Sequence, residues 1–110
     1  IAGSAFDQVP QATAYVGIGY TFGWMSKLVF GQHFDGILKC IKPKLFIMGT
    51  KDEFTSVSQL QTNVATMENV HVEIIPGVGH FELETVRYAN VTSEIIAKYI
   101  FGLNEKNRNA

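Results

Sequence analysis

Two residues of this chain have the type and placement needed to move a proton. Asp52 stands four residues past the apolar run Leu45 to Met48, in the loop Gly49, Thr50, Lys51, Asp52. His80 stands five past a second run that ends at Ile75, after Pro76, Gly77, Val78 and Gly79. A carboxylate bonded to an imidazole fixes the ring tautomer and stabilises its cation, which is two-thirds of a hydrolytic triad. Either residue alone has a blander explanation, since Asp is favoured in turns and caps and a loop His is commonly a surface group. Ser56, however, already supplies the cap for the helical pattern that follows. Each of the two residues follows its own strand, acid first and base second, so the expectation rests on the pair: Asp52 orients, His80 accepts the proton.

No serine in the chain completes the set. A nucleophile elbow needs G-x-S-x-G, because its strained strand-to-helix turn tolerates only small residues two before and two after the Ser. Ser4 has Ala2 two before it but Phe6 two after, and no strand leads into it. Ser26, Ser56, Ser58 and Ser93 fit no better. Other chemistries are weaker still. Gly17, Gly19 and Gly23 follow a strand, but a dinucleotide fingerprint requires glycine where this chain has Phe22, and no G-K-[ST] phosphate loop occurs. No cofactor is implied. His33 and His71 have no partner that the sequence identifies, and Asn90, Val91, Thr92 spell a glycosylation sequon by chance inside a helical stripe.

Elements must bring the acid and base together. Lys44 to Met48, opened by Pro43 and closed by Gly49, is unbroken in its apolarity and predicts a strand buried on both faces. Tyr15 to Ile18 is a second short strand. Val70 to Ile75 alternates Val70, Val72 and Ile74 against His71 and Glu73, as at a sheet edge. Ser56 with Gln59 three residues on forms a capping box for a helix to Met67. His33 to Ile41 predicts a shorter helix, residues 1–8 the end of another, and Val86 to Phe101 a last one, stopped by Gly102 and followed by a disordered polar tail over residues 104–110. Helices alternating with strands predict an α/β fold, a parallel sheet with helices on its faces. Loops after parallel strands emerge along one edge, so neighbouring strands would set Asp52 beside His80.

Length and composition fit one unit. The 110 residues allow a single domain or part of one, against about 150 for a typical domain. With 46% apolar residues, 17% charged and a net charge of −1, the chain can build a core but carries no electrostatic footprint for nucleic acid or an anionic membrane. No apolar run is long enough for a membrane span. The one cysteine, Cys40, cannot form an internal disulfide, and with no zinc-type spacing a reducing, cytoplasmic setting is expected.

KPKLFIMGTKDEF at Lys42 to Phe54, followed by GVGHF at Gly77 to Phe81, resembles the C-terminal half of an α/β-hydrolase, with 28 positions between acid and base as in that family. The N-terminal part, AGSAFDQ to YVGIGYTFG, is similar to a group of plant α/β-hydrolase proteins, so the resemblance spans residues 1–103. It implies a partial α/β-hydrolase fold containing three C-terminal strands, with Asp52 as triad acid and His80 as base. AGSA then lies on the helix just after the elbow, so the nucleophilic Ser precedes Ile1 and this chain alone is expected to be inactive. The implied substrate is a small acyl compound, an ester, thioester or amide. The apolar cluster Phe22, Trp24, Met25 and Phe30 falls where such proteins carry a lid and acyl pocket, although core packing would use the same residues. The competing expectation is a hydrolase-like binding module in which Asp52 and His80 are structural.

Overall fold

The apolar run around Phe46 becomes the middle strand of a parallel sheet. In the computed structural model, which describes residues 5–20 and 36–109, the sheet has three strands in the order β1 (Tyr15–Ile18), β2 (Lys44–Gly49), β3 (Val70–Ile75). Tyr15 pairs with Lys44 and Lys44 with Val70, and the register holds to Gly49 opposite Ile75. With a neighbour on each side, all six residues of β2 are buried, as the unbroken apolarity requires. The fold class is that expected: α/β, an open parallel sheet with helices.

Successive side chains of β2 enter different layers. Phe46 and Met48 join Phe6, Ile37, Cys40, Leu60 and Met67 in one core cluster. Leu60 comes from helix α1 (Val57–Val64), which starts at Ser56 with the capping box formed in both directions: Ser56 Oγ accepts from the Gln59 amide at 3.1 Å and Gln59 Oε1 from the Ser56 amide at 2.9 Å. Leu45 and Ile47 face the other layer, fully buried, where helix α2 (Val86–Arg108) packs on β2. Short 3₁₀ turns cover Phe6–Gln8 and Phe81–Glu84, and residues 36–39 are helical.

One expectation needs correction. The C-terminal helix does not stop at Gly102 but runs through it to Arg108, so most of the segment expected as a disordered tail, residues 104–110, is helical. An interior glycine costs a helix only about 1 kcal/mol relative to Ala. Glu105, Lys106 and Arg108 favour helix, and the two cations sit in the last turn, where they meet the negative end of the macrodipole. At the N-terminus Ala5 is helical and a 3₁₀ turn over Phe6–Gln8 follows it before Pro10, which agrees with the helix end expected there; residues 1–4 lie outside the described residues.

Lys44 opens β2 yet is completely buried. Its stem lies within the fold and its ammonium donates to the Cys40 carbonyl and, at 2.7 Å, to that of Lys42. Carbonyls just beyond the 36–39 helical turn thus receive a cation, which meets the requirement that a buried charge be hydrogen-bonded.

Beside β1 the rings of Phe6, Tyr15, Tyr20 and Phe46 pack at centroid distances of 5.4–6.2 Å. Burial pushes the Tyr20 hydroxyl up to about 12, with Tyr15 adding to the shift, and burial raises Tyr15 as well. A folded-state value above the unfolded one contributes stability that is full below about 10 and is lost as the pH rises through about 12. An absorbance titration at 295 nm should therefore show Tyr20 ionising last, together with the loss of structure. Ionisation of all four tyrosines together near 10 in an intact fold would contradict this packing.

Candidate active site

The sheet is parallel, so the loops that follow its strands leave at one edge, and they are tied to one another there. The Thr55 hydroxyl in the loop after β2 donates to the Tyr20 carbonyl after β1 at 3.3 Å. The Lys51 amide donates to the Val78 carbonyl at 2.9 Å, and the Gly77 amide after β3 donates to Thr50 Oγ1 at 2.8 Å. Asp52 and His80 meet inside this weave.

Their side chains are joined at 2.8 Å, Asp52 Oδ2 to His80 Nδ1. The carboxylate side chain is 1% exposed and the imidazole 14%. Asp52 Oδ1 also accepts the amides of Phe54 and Thr55, each at 2.8 Å. The turn role that Asp favours and the contact with His80 are thus filled by the two oxygens of one carboxylate. An ionised carboxylate can only accept, so Nδ1 carries the hydrogen, and the neutral ring keeps a lone pair on Nε2. Nε2 has no hydrogen-bond partner among the described residues. This is the geometry of a base held by its orienting acid.

Further groups fix the His80 backbone and surround its ring. Glu53 Oε2 accepts the His80 amide at 3.2 Å and Glu82 Oε1 the Gly79 amide at 3.1 Å. The rings of Phe54 and Phe81 stand edge-on to the imidazole at 4.8 and 5.0 Å and pack on each other at 5.6 Å. Both remain exposed, 44% and 65%, which makes an apolar rim beside the imidazole. None of these four was singled out by sequence pattern. The available signal was adjacency, since Glu53 and Phe54 directly follow Asp52 and Phe81 directly follows His80. Phe22, Trp24, Met25 and Phe30, the sequence-based pocket candidates, lie outside the described residues, as do Ser4, Ser26 and His33.

Gly19 leaves the space that the ring occupies. It has φ +63°, and a Cβ there would lie 3.0 Å from both Cε1 and Nδ1 of His80. A left-handed backbone and a close approach both require glycine here. Gly19→Ala should keep the fold but shift the ring away from its place beside Asp52. With His80 assigned as a catalytic base, the result expected in the full-length protein is a fall of about 100-fold in kcat/KM, as for an ångström-scale misplacement of a catalytic group, measured with the melting temperature as control.

No protein-family model matches the sequence, and no curated protein matches it. The solved structure of an α/β serine hydrolase homologue from Coxiella burnetii superposes on 88% of this chain with a TM-score of 0.63, at 18% identity. The architecture is a partial α/β-hydrolase fold. The chain spans 41% of that homologue's length, so the likeness concerns a portion of such a fold. Among the described residues no group of three or more His, Cys, Asp or Glu side chains could hold a metal ion, and no helix is long and apolar enough to cross a membrane.

Proposed function

We propose that this chain is the C-terminal portion of a serine hydrolase and supplies its acid and base, Asp52 and His80. The nucleophilic Ser is contributed by sequence upstream of Ile1. His80 Nε2 takes the proton from that Ser as its oxygen attacks an acyl carbonyl, and returns the proton to the departing alcohol, thiol or amine. Water then repeats the sequence on the acyl-enzyme, with His80 first as base and then as acid. Asp52 keeps the hydrogen on Nδ1 and stabilises the imidazolium formed in each half. This route draws only on side chains and water. The observation that carries the reading is the buried 2.8 Å bond between Asp52 and His80, held at the sheet edge where ligands of α/β folds bind.

The exposed faces of Phe54 and Phe81 favour an apolar acyl group over a sugar or phosphate. The single cysteine accords with a reducing, cytoplasmic setting. The test is hydrolysis of p-nitrophenyl acyl esters by the full-length protein, followed before steady state. A burst of p-nitrophenol equal to the enzyme concentration is expected. The 110-residue chain should show no turnover, having no nucleophile. Full-length protein that hydrolyses no acyl ester, thioester or amide would overturn the reading in favour of a binding module.

A further inference from the structure

Between Ile75 and His80 the chain carries two glycines, Gly77 with φ +75° and Gly79, so this backbone is permissive and does not by itself fix where His80 stands. Ties from the loop after β2 do. They continue the parallel register of β2 and β3 beyond the strands. Thr50 Oγ1 accepts the Gly77 amide, the Lys51 amide donates to the Val78 carbonyl, and Glu53 Oε2 accepts the His80 amide at 3.2 Å. Between the last two ties in sequence, Asp52 holds the imidazole. Two consecutive carboxylates thus grip one residue, Asp52 at its ring and Glu53 at its backbone.

We infer that Glu53 is a positioning residue for His80, holding its backbone so that the ring bonded to Asp52 presents Nε2 in one place. The inference rests on the reading of His80 as the general base. The bond to Asp52 sets the tautomer, but a single bond leaves the imidazole free to pivot about Nδ1, and Nε2 on the far side of the ring sweeps with the pivot. Fixing the backbone of the same residue removes that freedom. The His80 amide precedes the 3₁₀ turn Phe81–Glu84, where an N–H finds no acceptor within the turn. The neighbouring Gly79 amide is satisfied locally, by Glu82 at 3.1 Å. His80 instead draws on a residue 27 positions earlier, and that choice joins the two loops. A charged acceptor makes the stronger kind of bond. Gly79 leaves the room for it: a Cβ there would lie 2.7 Å from Glu53 Oε1 but 3.3 Å from Glu82 Oε1, so the clash would fall on Glu53.

The test compares Glu53→Ala, Glu53→Gln and Gly79→Ala in the full-length protein. Two readouts are taken, ester hydrolysis and the proton NMR resonance of His80 Nδ1–H, identified by its absence from His80→Ala. Glu53→Ala should lower kcat about tenfold with KM unchanged, and its Nδ1–H resonance should broaden by exchange with water. Its melting temperature should stay within about 2 °C of wild type, because the side chain is exposed. Glu53→Gln keeps an oxygen that accepts the amide, and should hold kcat within about threefold of wild type and the resonance sharp. Gly79→Ala displaces the carboxylate and should cause a comparable loss, with the double variant of Gly79→Ala and Glu53→Ala no worse than either single one. Wild-type kcat in Glu53→Ala, a Glu53→Gln protein as impaired as Glu53→Ala, or additive losses in the double variant would each overturn the inference. So would a loss of kcat that follows a lowered melting temperature, which makes the role structural only. If the full-length protein hydrolyses no ester, the hydrolase reading fails by itself and the resonance decides: broad in Glu53→Ala and sharp in Glu53→Gln supports the positioning role, sharp in both overturns it.

Discussion

His80→Ala in the full-length protein should lower kcat for ester hydrolysis by about four orders of magnitude or more, with KM little changed. A general base acts in the transition state rather than in ground-state binding, so the role proposed for His80 places the loss on the chemical step. Asp52→Asn should lower kcat by about 10⁴-fold. The amide can present its own N–H to Nδ1, which moves the ring hydrogen to Nε2 and removes the lone pair the Ser needs. The Phe54 and Thr55 amides can still bond the remaining oxygen, so Asp52→Asn should leave the loop in place. A melting temperature close to wild type, measured beside kcat, separates this loss of the tautomer from a loss of structure. An Asp52→Asn protein retaining more than about a tenth of the activity would show that the 2.8 Å contact is structural.

The second large effect concerns Gly49, where β2 ends. A Cβ on it would lie 1.9 Å from the Val78 carbonyl oxygen and 2.6 Å from its carbon. The obstacle is backbone, and that carbonyl accepts the Lys51 amide at 2.9 Å, so it has no slack. Gly49→Ala must push the loop after β3 away from the loop after β2, breaking this bond and the contact of Asp52 with His80. The expected cost is about 3 kcal/mol or more, a fall in melting temperature of about 12 °C or more for a chain of this size. Catalytic activity should be lost with it. Thermal unfolding of Gly49→Ala within about 2 °C of wild type would contradict the packing of the two loops.

The parts of this fold governed by local rules were legible in the sequence. β2 shows itself through a continuous apolar run between Pro43 and Gly49, and α1 through the Ser56 and Gln59 pair, because the causes lie within a few residues. The approach of Asp52 to His80 could also be read, since parallel strands deliver their loops to one edge whatever the side chains between them. Contacts between distant segments could not. Nothing near Gly19 announces that His80 will fill the space beside it, or near Gly49 that Val78 will, because these spaces exist only once the loops are stacked. Lys44 reads as a polar strand opener, and its burial depends on carbonyls presented by the turn before it. The helix beyond Gly102 is illegible for another reason, in that a single glycine is only a weak helix breaker and tertiary context decides whether the helix continues through it. The roles of Glu53, Phe54 and Phe81 are expressed only in space, around a ring contributed by a different loop.

The most direct measurement is fluorophosphonate labelling of the full-length protein, with the labelled residue located by peptide mass spectrometry. One modified Ser is expected, N-terminal to Ile1 and within a G-x-S-x-G turn, with labelling abolished in His80→Ala and strongly reduced in Asp52→Asn. Undiminished labelling of His80→Ala, or no labelled Ser in the wild type, would contradict it.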